Sequence, residues 1–98
     1  MVSRELQNSW RITQQYLEQA IAHFPDDAPS ECEDGSLAGC RDYMQHNELG
    51  LAFDELNALG QANSVPQAYW RSLLAAAENM KIAQGIKDCQ QALGKYST

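Results

Sequence analysis

Basic residues are scarce in this 98-residue chain, and their scarcity excludes two classes of partner. Seven Lys and Arg stand against thirteen Asp and Glu, so the net charge is −6 and the isoelectric point is about 4.6. A negative surface repels the phosphate backbone of nucleic acids and the headgroups of anionic lipids. We therefore expect neither nucleic acid nor a membrane among the partners of this protein.

Long apolar runs are absent as well. No stretch approaches the ~18 consecutive apolar residues of a membrane-spanning helix, and the opening segment MVSRELQNSW lacks the apolar centre of a signal peptide. The three cysteines, Cys32, Cys40 and Cys89, form an odd set, which is typical of reduced thiols in the cytosol. The expected location is therefore the cytoplasm, with Cys40 and Cys89 acting as small hydrophobes on helix faces.

Catalytic and metal-binding motifs are also missing. The cysteines and His46 do not have the spacing of a zinc site. Cys40 and His46 are six residues apart, across a predicted helix end, so a nucleophile–base pair is not expected. The chain has no glycine-rich phosphate loop. We therefore predict no catalytic residues, no metal ligands and no cofactor, and a role other than that of an enzyme.

What the chain does have is apolar residues at helical spacing. Over residues 3–24 the apolar positions fall within one narrow stripe, which predicts an amphipathic helix that Pro25 ends. These positions are Leu6, Trp10, Leu17, Ala20, Ile21 and Phe24. Residues 25–36 follow without periodicity and contain two prolines, a glycine and five acids. They are interpreted as a solvated connector, with an acidic arm on a binding face as the alternative.

Two further helices are predicted before residue 61. Ser36 is the predicted N-cap of a helix that ends near Gln45. Asn47 is the predicted N-cap of the next one, which continues to Leu59 and stops at Gly60. The core side of this second helix contains large aliphatic and aromatic residues at helical spacing.

The remaining sequence predicts two more helices. Ser64 and Gln67 have capping-box spacing, with Pro66 in the first turn of a helix that ends near Met80. Tyr69 and Trp70 are in phase with the leucines of this helix and are therefore expected in the core. The last helix covers residues 82–93 and ends at Gly94, and residues 95–98 are expected to form a loose tail.

No segment shows the alternating pattern of a strand, so the predicted fold is all-α. The whole chain, residues 1–98, is expected to form a small single-domain bundle of about five helices.

Charge is distributed unevenly along the chain. Residues 26–57 contain nine acids against Arg41 alone, a net charge of −8, whereas residues 1–25 are balanced and residues 58–98 carry +2. On the outward face of the predicted 48–59 helix lie Leu51, Asp54 and Glu55. A single exposed leucine is ordinary, but a leucine between two acids also fits a contact patch for a basic partner. Both interpretations stay open at this point.

Residues 43–60, YMQHNELGLAFDELNALG, and the following YWRSLLAAAENM resemble small immunity proteins that bacteria encode beside polymorphic toxins, including those of contact-dependent growth inhibition. The likeness centres on HNELGLAFDEL and on the Trp70 helix, and it covers about half the chain. It implies a helical, cytosolic protein without catalytic residues that binds a toxin domain and blocks its active site or substrate path. The toxins of such systems are often nucleases with basic grooves.

The resemblance and the charge map together give an expected partner and an expected interface. The partner is the C-terminal domain of a cognate toxin, and the alternative is a helical adaptor or regulatory module unrelated to toxins. The expected interface consists of acids and one leucine, namely Asp26, Asp27, Glu31, Glu33, Asp34, Asp42, Glu48, Leu51, Asp54 and Glu55.

Overall fold

Five helices and one minimal hairpin make up the fold. The structure, a computed structural model, describes residues 4–96 except for the side chains of Glu5 and Leu6. The elements in chain order are α1 (Arg4–His23), β1 (Glu31–Cys32), β2 (Gly35–Ser36), α2 (Leu37–Gln45), α3 (Leu49–Ala62), α4 (Gln67–Met80) and α5 (Ala83–Gly94). The all-α bundle is therefore confirmed. The predictions for Ser3, the Leu6 side chain, Ser97 and Thr98 fall outside the part of the chain that the structure describes.

The helix α3 is the element around which the others are arranged. It contacts α1, α2, α4 and α5 as well as both strands, and α1 packs in addition along α4. The core is formed by the apolar faces that the spacing predicts. Its fully buried members include Leu17, Ala20, Cys40, Phe53, Leu56, Leu59, Leu73, Ala76 and Cys89. Within residues 4–96, no helix is long and apolar enough to cross a membrane.

Tyr69 lies at the centre of this core. Its side chain is fully buried, and its ring is 6.0 Å from that of Phe24 and 5.7 Å from that of Trp70 between centroids. The phenol donates a hydrogen bond of 2.7 Å to the carbonyl oxygen of Leu56. Burial raises the pKa of Tyr69 above its ordinary value, so the hydroxyl stays a donor throughout the neutral range. The predicted core positions of Tyr69 and Trp70 are confirmed.

The absence of strands was a wrong prediction. Within residues 25–36, Glu31 pairs with Ser36 and Cys32 with Gly35 in an antiparallel hairpin. Strands of two residues are too short to show alternation, which is why the sequence pattern does not reveal them. The predicted Ser36 cap is confirmed, because the Ser36 hydroxyl accepts a hydrogen bond of 2.9 Å from the backbone N–H of Gly39.

Asn47 does not cap α3, contrary to the prediction. It adopts a left-handed conformation with φ 58° and ends α2, while Glu48 is the N-cap residue of α3. The Glu48 N–H donates to the Tyr43 carbonyl (2.8 Å) and the Asn47 N–H to the Met44 carbonyl (3.1 Å). This is the Schellman arrangement. Its left-handed position is most often Gly and next most often Asn, because these residues tolerate positive φ best. The same motif ends α4 at Lys81, where φ is 60°.

Three further local predictions were wrong. Helix α3 continues through Gly60 to Ala62, because Gly60 is buried where Trp70 packs against the helix backbone. Helix α4 has Pro66 as its N-cap and no side-chain cap, so the Ser64 capping box does not form. The tail is attached as far as Tyr96, whose hydroxyl donates to the Val65 carbonyl.

Glycine permits a close contact between α3 and α5, and this contact yields a stability prediction. A Cβ placed on Gly85 would lie 2.8 Å from Cε1 of Phe53, whereas a Cβ on Gly94 would have no heavy atom within 4 Å. We expect Gly85→Ala to lower the free energy of unfolding by about 1–3 kcal/mol through overpacking. Gly94→Ala is the matched control and should be neutral or slightly stabilising. Urea unfolding measures both, and equal stabilities for the two variants would contradict the close contact.

Candidate functional site

The solvent side of α3 carries the leucine that the sequence singled out. Leu51 is 45% exposed, and Asp54 is exposed on the same side. Both point outward because Ala52, Phe53 and Leu56 occupy the buried side of the helix. The predicted outward orientation is confirmed for Leu51 and Asp54.

The predicted outward orientation of Glu55 was wrong. Glu55 is half-buried, and its carboxylate and backbone lie against the hairpin and the first turn of α2. A Cβ on Gly35 would lie 2.8 Å from the Glu55 carbonyl oxygen, and one on Gly39 would overlap Oε1 of Glu55. The absence of side chains at Gly35 and Gly39 therefore lets α3 turn Glu55 inward. Its negative charge there lies near the positive end of the α2 dipole, where it stabilises the helix. We therefore assign Glu55 a structural role.

The acids of residues 26–34 divide into two places. Glu31, Glu33 and Asp34 are exposed on the hairpin, and both of its strands contact α3. Asp26 and Asp27 are exposed in the preceding loop, and Asp26 lines a surface hollow together with Arg41. The hairpin acids therefore lie beside α3, whereas Asp26 lies on the side of α1 and α2.

The junction between α2 and α3 places Asp42, His46 and Glu48 close together. Nδ1 of His46 donates a hydrogen bond of 2.9 Å to the Asp42 carbonyl oxygen and lies 3.9 Å from Oδ1 of Asp42. The pKa of His46 is raised, chiefly by this backbone hydrogen bond, then by the charge of the Asp42 carboxylate and, more weakly, by that of Glu48. His46 thus makes a local hydrogen bond at the end of α2.

Asp88 is a neighbour of this surface that sequence reasoning missed. Asn57 of α3 donates to its Oδ2 (3.1 Å) and Gln84 of α5 to its Oδ1 (3.0 Å). The pKa of Asp54 is raised by partial burial and by the nearby charge of Asp88. Gln84 and Asp88 are four residues apart on one helix, and this spacing in the sequence predicts the hydrogen bond between them. The approach of Asn57 requires the packing of α3 on α5.

Among the described side chains, the acids of residues 26–57 form no ion pair with a Lys or Arg within 4.0 Å. Eight of the nine are exposed, Glu55 being the exception. Among the side chains that the structure describes, the one ion pair within 4.0 Å is that of His46 with Asp42. The eight exposed acids and the exposed Arg41 therefore present a net charge of −7 to solvent, where it can act on a partner. We call the part beside α3 the acidic face, and it consists of Glu31, Glu33, Asp34, Asp42, Glu48, Leu51, Asp54 and Asp88.

A groove of about 630 Å³ adjoins one end of the acidic face. It lies between α1, the α2–α3 junction and the α4–α5 junction. Ser9, Trp10 and Thr13 line it from α1, Asn47 to Gly50 from the α2–α3 junction, and Asn79 to Ile82 from the α4–α5 junction. Glu48 and Gly50 therefore belong to the groove as well as to the neighbourhood of Leu51.

Burial suppresses the reactivity of two of the three thiols, Cys40 and Cys89. All three cysteines are free, and burial raises the pKa of Cys40 and that of Cys89 to about 12. Both are protonated at neutral pH, when a thiol is a poor nucleophile. Within residues 4–96 no group of three His, Cys, Asp or Glu side chains is placed to hold a metal ion.

Comparison with known proteins identifies no matching family model, no similar curated protein and no similar solved structure. The likeness of residues 43–80 to toxin immunity proteins therefore stays a prediction, and so does the expected interface.

The environment of His46 gives a pH prediction. We expect its pKa, measured by NMR titration, to lie above the ordinary value of about 6.5. Because the folded-state pKa is raised, the stabilisation is fully present below the unfolded-state value and is lost as pH rises through the folded-state value. Asp42→Asn should reduce the elevation but not abolish it, since the backbone carbonyl remains. Asp26→Asn is the control and should leave the pKa of His46 unchanged; an identical pKa in Asp42→Asn and the wild type would contradict the geometry.

Proposed function

We propose that this protein is an immunity protein that binds and neutralises a cognate toxin domain, a nuclease with a basic substrate groove. The observation that carries the proposal is the exposed and uncompensated charge of residues 26–57. Eight exposed acids in one segment offer a basic groove the same sign of charge as the phosphates of its substrate. The resemblance of residues 43–80 to immunity proteins supports the same partner.

The proposed mechanism is occlusion, and it needs no reaction by this chain. The acidic face enters the mouth of the substrate groove and keeps nucleic acid out, both by its volume and by its charge. Charge complementarity speeds the encounter and selects the partner. Leu51, with 45% of its surface exposed, supplies an apolar contact within the charged surface.

Glu55 is not a contact residue in this mechanism. It packs against Gly35 of the hairpin and Gly39 of α2, and the hairpin strands, which carry Glu31, Glu33 and Asp34, contact α3. Asp88 joins the contact set, because its two hydrogen bonds fix its carboxylate next to Asp54.

Co-purification tests the proposal. The chain is expressed together with the C-terminal domain of the toxin encoded next to its gene, and nuclease activity of that domain is measured with and without the chain. We expect a stable complex and loss of nuclease activity at equimolar ratio. Failure to form a complex at micromolar concentrations, or a complex with full nuclease activity, would overturn the proposal.

A pair of charge-reversal variants locates the contact surface. We expect Asp42→Lys combined with Asp54→Lys to weaken toxin binding about tenfold or more, which corresponds to ~1.4 kcal/mol. Both side chains are exposed, so the helical circular dichroism should not change. Isothermal titration calorimetry at two salt concentrations measures the affinity and its salt dependence.

The matched control reverses two acids outside the acidic segment. Glu18→Lys combined with Glu78→Lys changes the net charge by the same amount at exposed positions of α1 and α4. It should bind the toxin nearly as well as the wild type. Equal weakening in the two double variants would show that total charge, and not the acidic face, governs binding.

A further inference from the structure

Polar side chains on the floor of the groove between α1 and the two helix junctions are hydrogen-bonded to one another. Nδ2 of Asn79 donates to Oγ1 of Thr13 (2.6 Å) and to the carbonyl oxygen of Ser9 (2.9 Å). Thr13 is 1% exposed. These polar groups bind one another across α1 and α4, so the floor offers little to a polar metabolite. What enters the groove must therefore make mainly apolar contacts.

Apolar surface suited to such contacts lines the walls. Trp10, Met80 and Ile82 line the groove and are half-buried, and Leu49 is 5% exposed. An indole and a thioether are adaptable partners for a large apolar side chain.

Gly50 keeps one edge of the groove open. A Cβ at this position would meet no heavy atom within 4 Å, so nothing in the fold of this chain requires glycine there. Glycine within a helix is less favourable than alanine. Its effect is to leave the first turn of α3 accessible between the groove and Leu51.

The two edges carry opposite charges. Glu48 stands at the α2–α3 edge with Asp42 nearby, and Lys81 stands at the α4–α5 edge. An occupant with a cationic side chain next to its apolar one is attracted toward Glu48 and repelled by Lys81, which sets its direction in the groove.

We infer that the groove is a docking site for a basic segment of the partner protein, which inserts one large apolar side chain between Trp10 and Ile82 and places a Lys or Arg beside Glu48. The inference rests on the proposed function and names the anchor that the toxin would use. The groove shares Glu48 with the acidic face, and Gly50, the chain neighbour of Leu51, also lines it, so a basic partner on that face lies next to the groove. A few central apolar anchors supply most of the energy in such interfaces.

Blocked dipeptides test the groove without the toxin. Acetyl-Phe-Lys-amide, acetyl-Phe-Glu-amide and acetyl-Ala-Lys-amide are titrated into the ¹⁵N-labelled protein, and the shifts of the Trp10 indole and Gly50 amide are followed. We expect the Phe-Lys peptide to shift both signals and to bind about two- to fivefold more tightly than the Phe-Glu peptide, as an exposed charge pair allows. The Ala-Lys peptide should leave both unchanged. No shift with the Phe-Lys peptide would overturn the inference.

Variants with matched controls separate the groove from the rest of the surface. Gly50→Trp obstructs the open edge, and Gly94→Trp is its control, since a Cβ there also meets no heavy atom within 4 Å and Gly94 does not line the groove. We expect Gly50→Trp to lose the response of the Trp10 indole to the peptide and Gly94→Trp to keep it. Glu48→Lys, at an exposed position, should reverse the preference between the two Phe peptides. An unchanged preference would contradict the assigned direction.

Toxin binding by the same variants distinguishes failure of the groove from failure of the proposed function. We expect Gly50→Trp to weaken toxin binding at least tenfold and Gly94→Trp to leave it unchanged. If the wild type binds the toxin and Gly50→Trp binds it equally well, the groove inference is wrong while the proposed function stands. If the wild type does not bind the toxin, the proposed function is wrong, and the inference that depends on it falls as well.

Discussion

Close approach to α3 at glycine residues is the constraint on which the rest of the structure depends. Trp70 of α4 packs against Gly60, Gly85 of α5 packs against Phe53, and Gly35 with Gly39 packs against Glu55. A Cβ at any of these glycines would overlap atoms of the element packed against it. The distances between the packed elements therefore depend on these positions. With three flanks occupied in this way, only one side of α3 remains for solvent.

The acidic face is a consequence of that packing. Leu51 and Asp54 lie on the remaining side, the hairpin places its acids along one flank, and α5 places Asp88 along the other. The exposed acids of residues 26–57 have no Lys or Arg partner within 4.0 Å among the described side chains. Folding thus concentrates negative charge around one apolar residue, and a basic partner is what such a surface complements. The groove beside Glu48 extends the same surface toward α1.

Most helices could be predicted because amphipathic periodicity is a local property of the chain. The errors fall at the junctions, where one residue is compatible with two structures. Asn47 suits an N-cap and equally a left-handed helix end. The hydrogen bond from the Glu48 N–H to the Tyr43 carbonyl shows that it forms the helix end. Gly60 is a frequent helix stop, but here its missing side chain is used for packing against Trp70. The first choice is made by hydrogen bonds at the helix end, and the second by a contact between two helices that the local pattern does not reveal.

By itself the sequence determined the helical class, the buried faces and the concentration of acids in residues 26–57, because periodicity and charge depend on residue order alone. The tertiary structure determined which of those acids are exposed to solvent and which element each of them lies beside. It turned Glu55 inward against Gly35 and Gly39, and it brought Asp88 beside Asp54 through Asn57. It also formed the groove from three separate parts of the chain. The physical reason is that side-chain proximity between elements depends on how closely their backbones pack, which no single segment specifies.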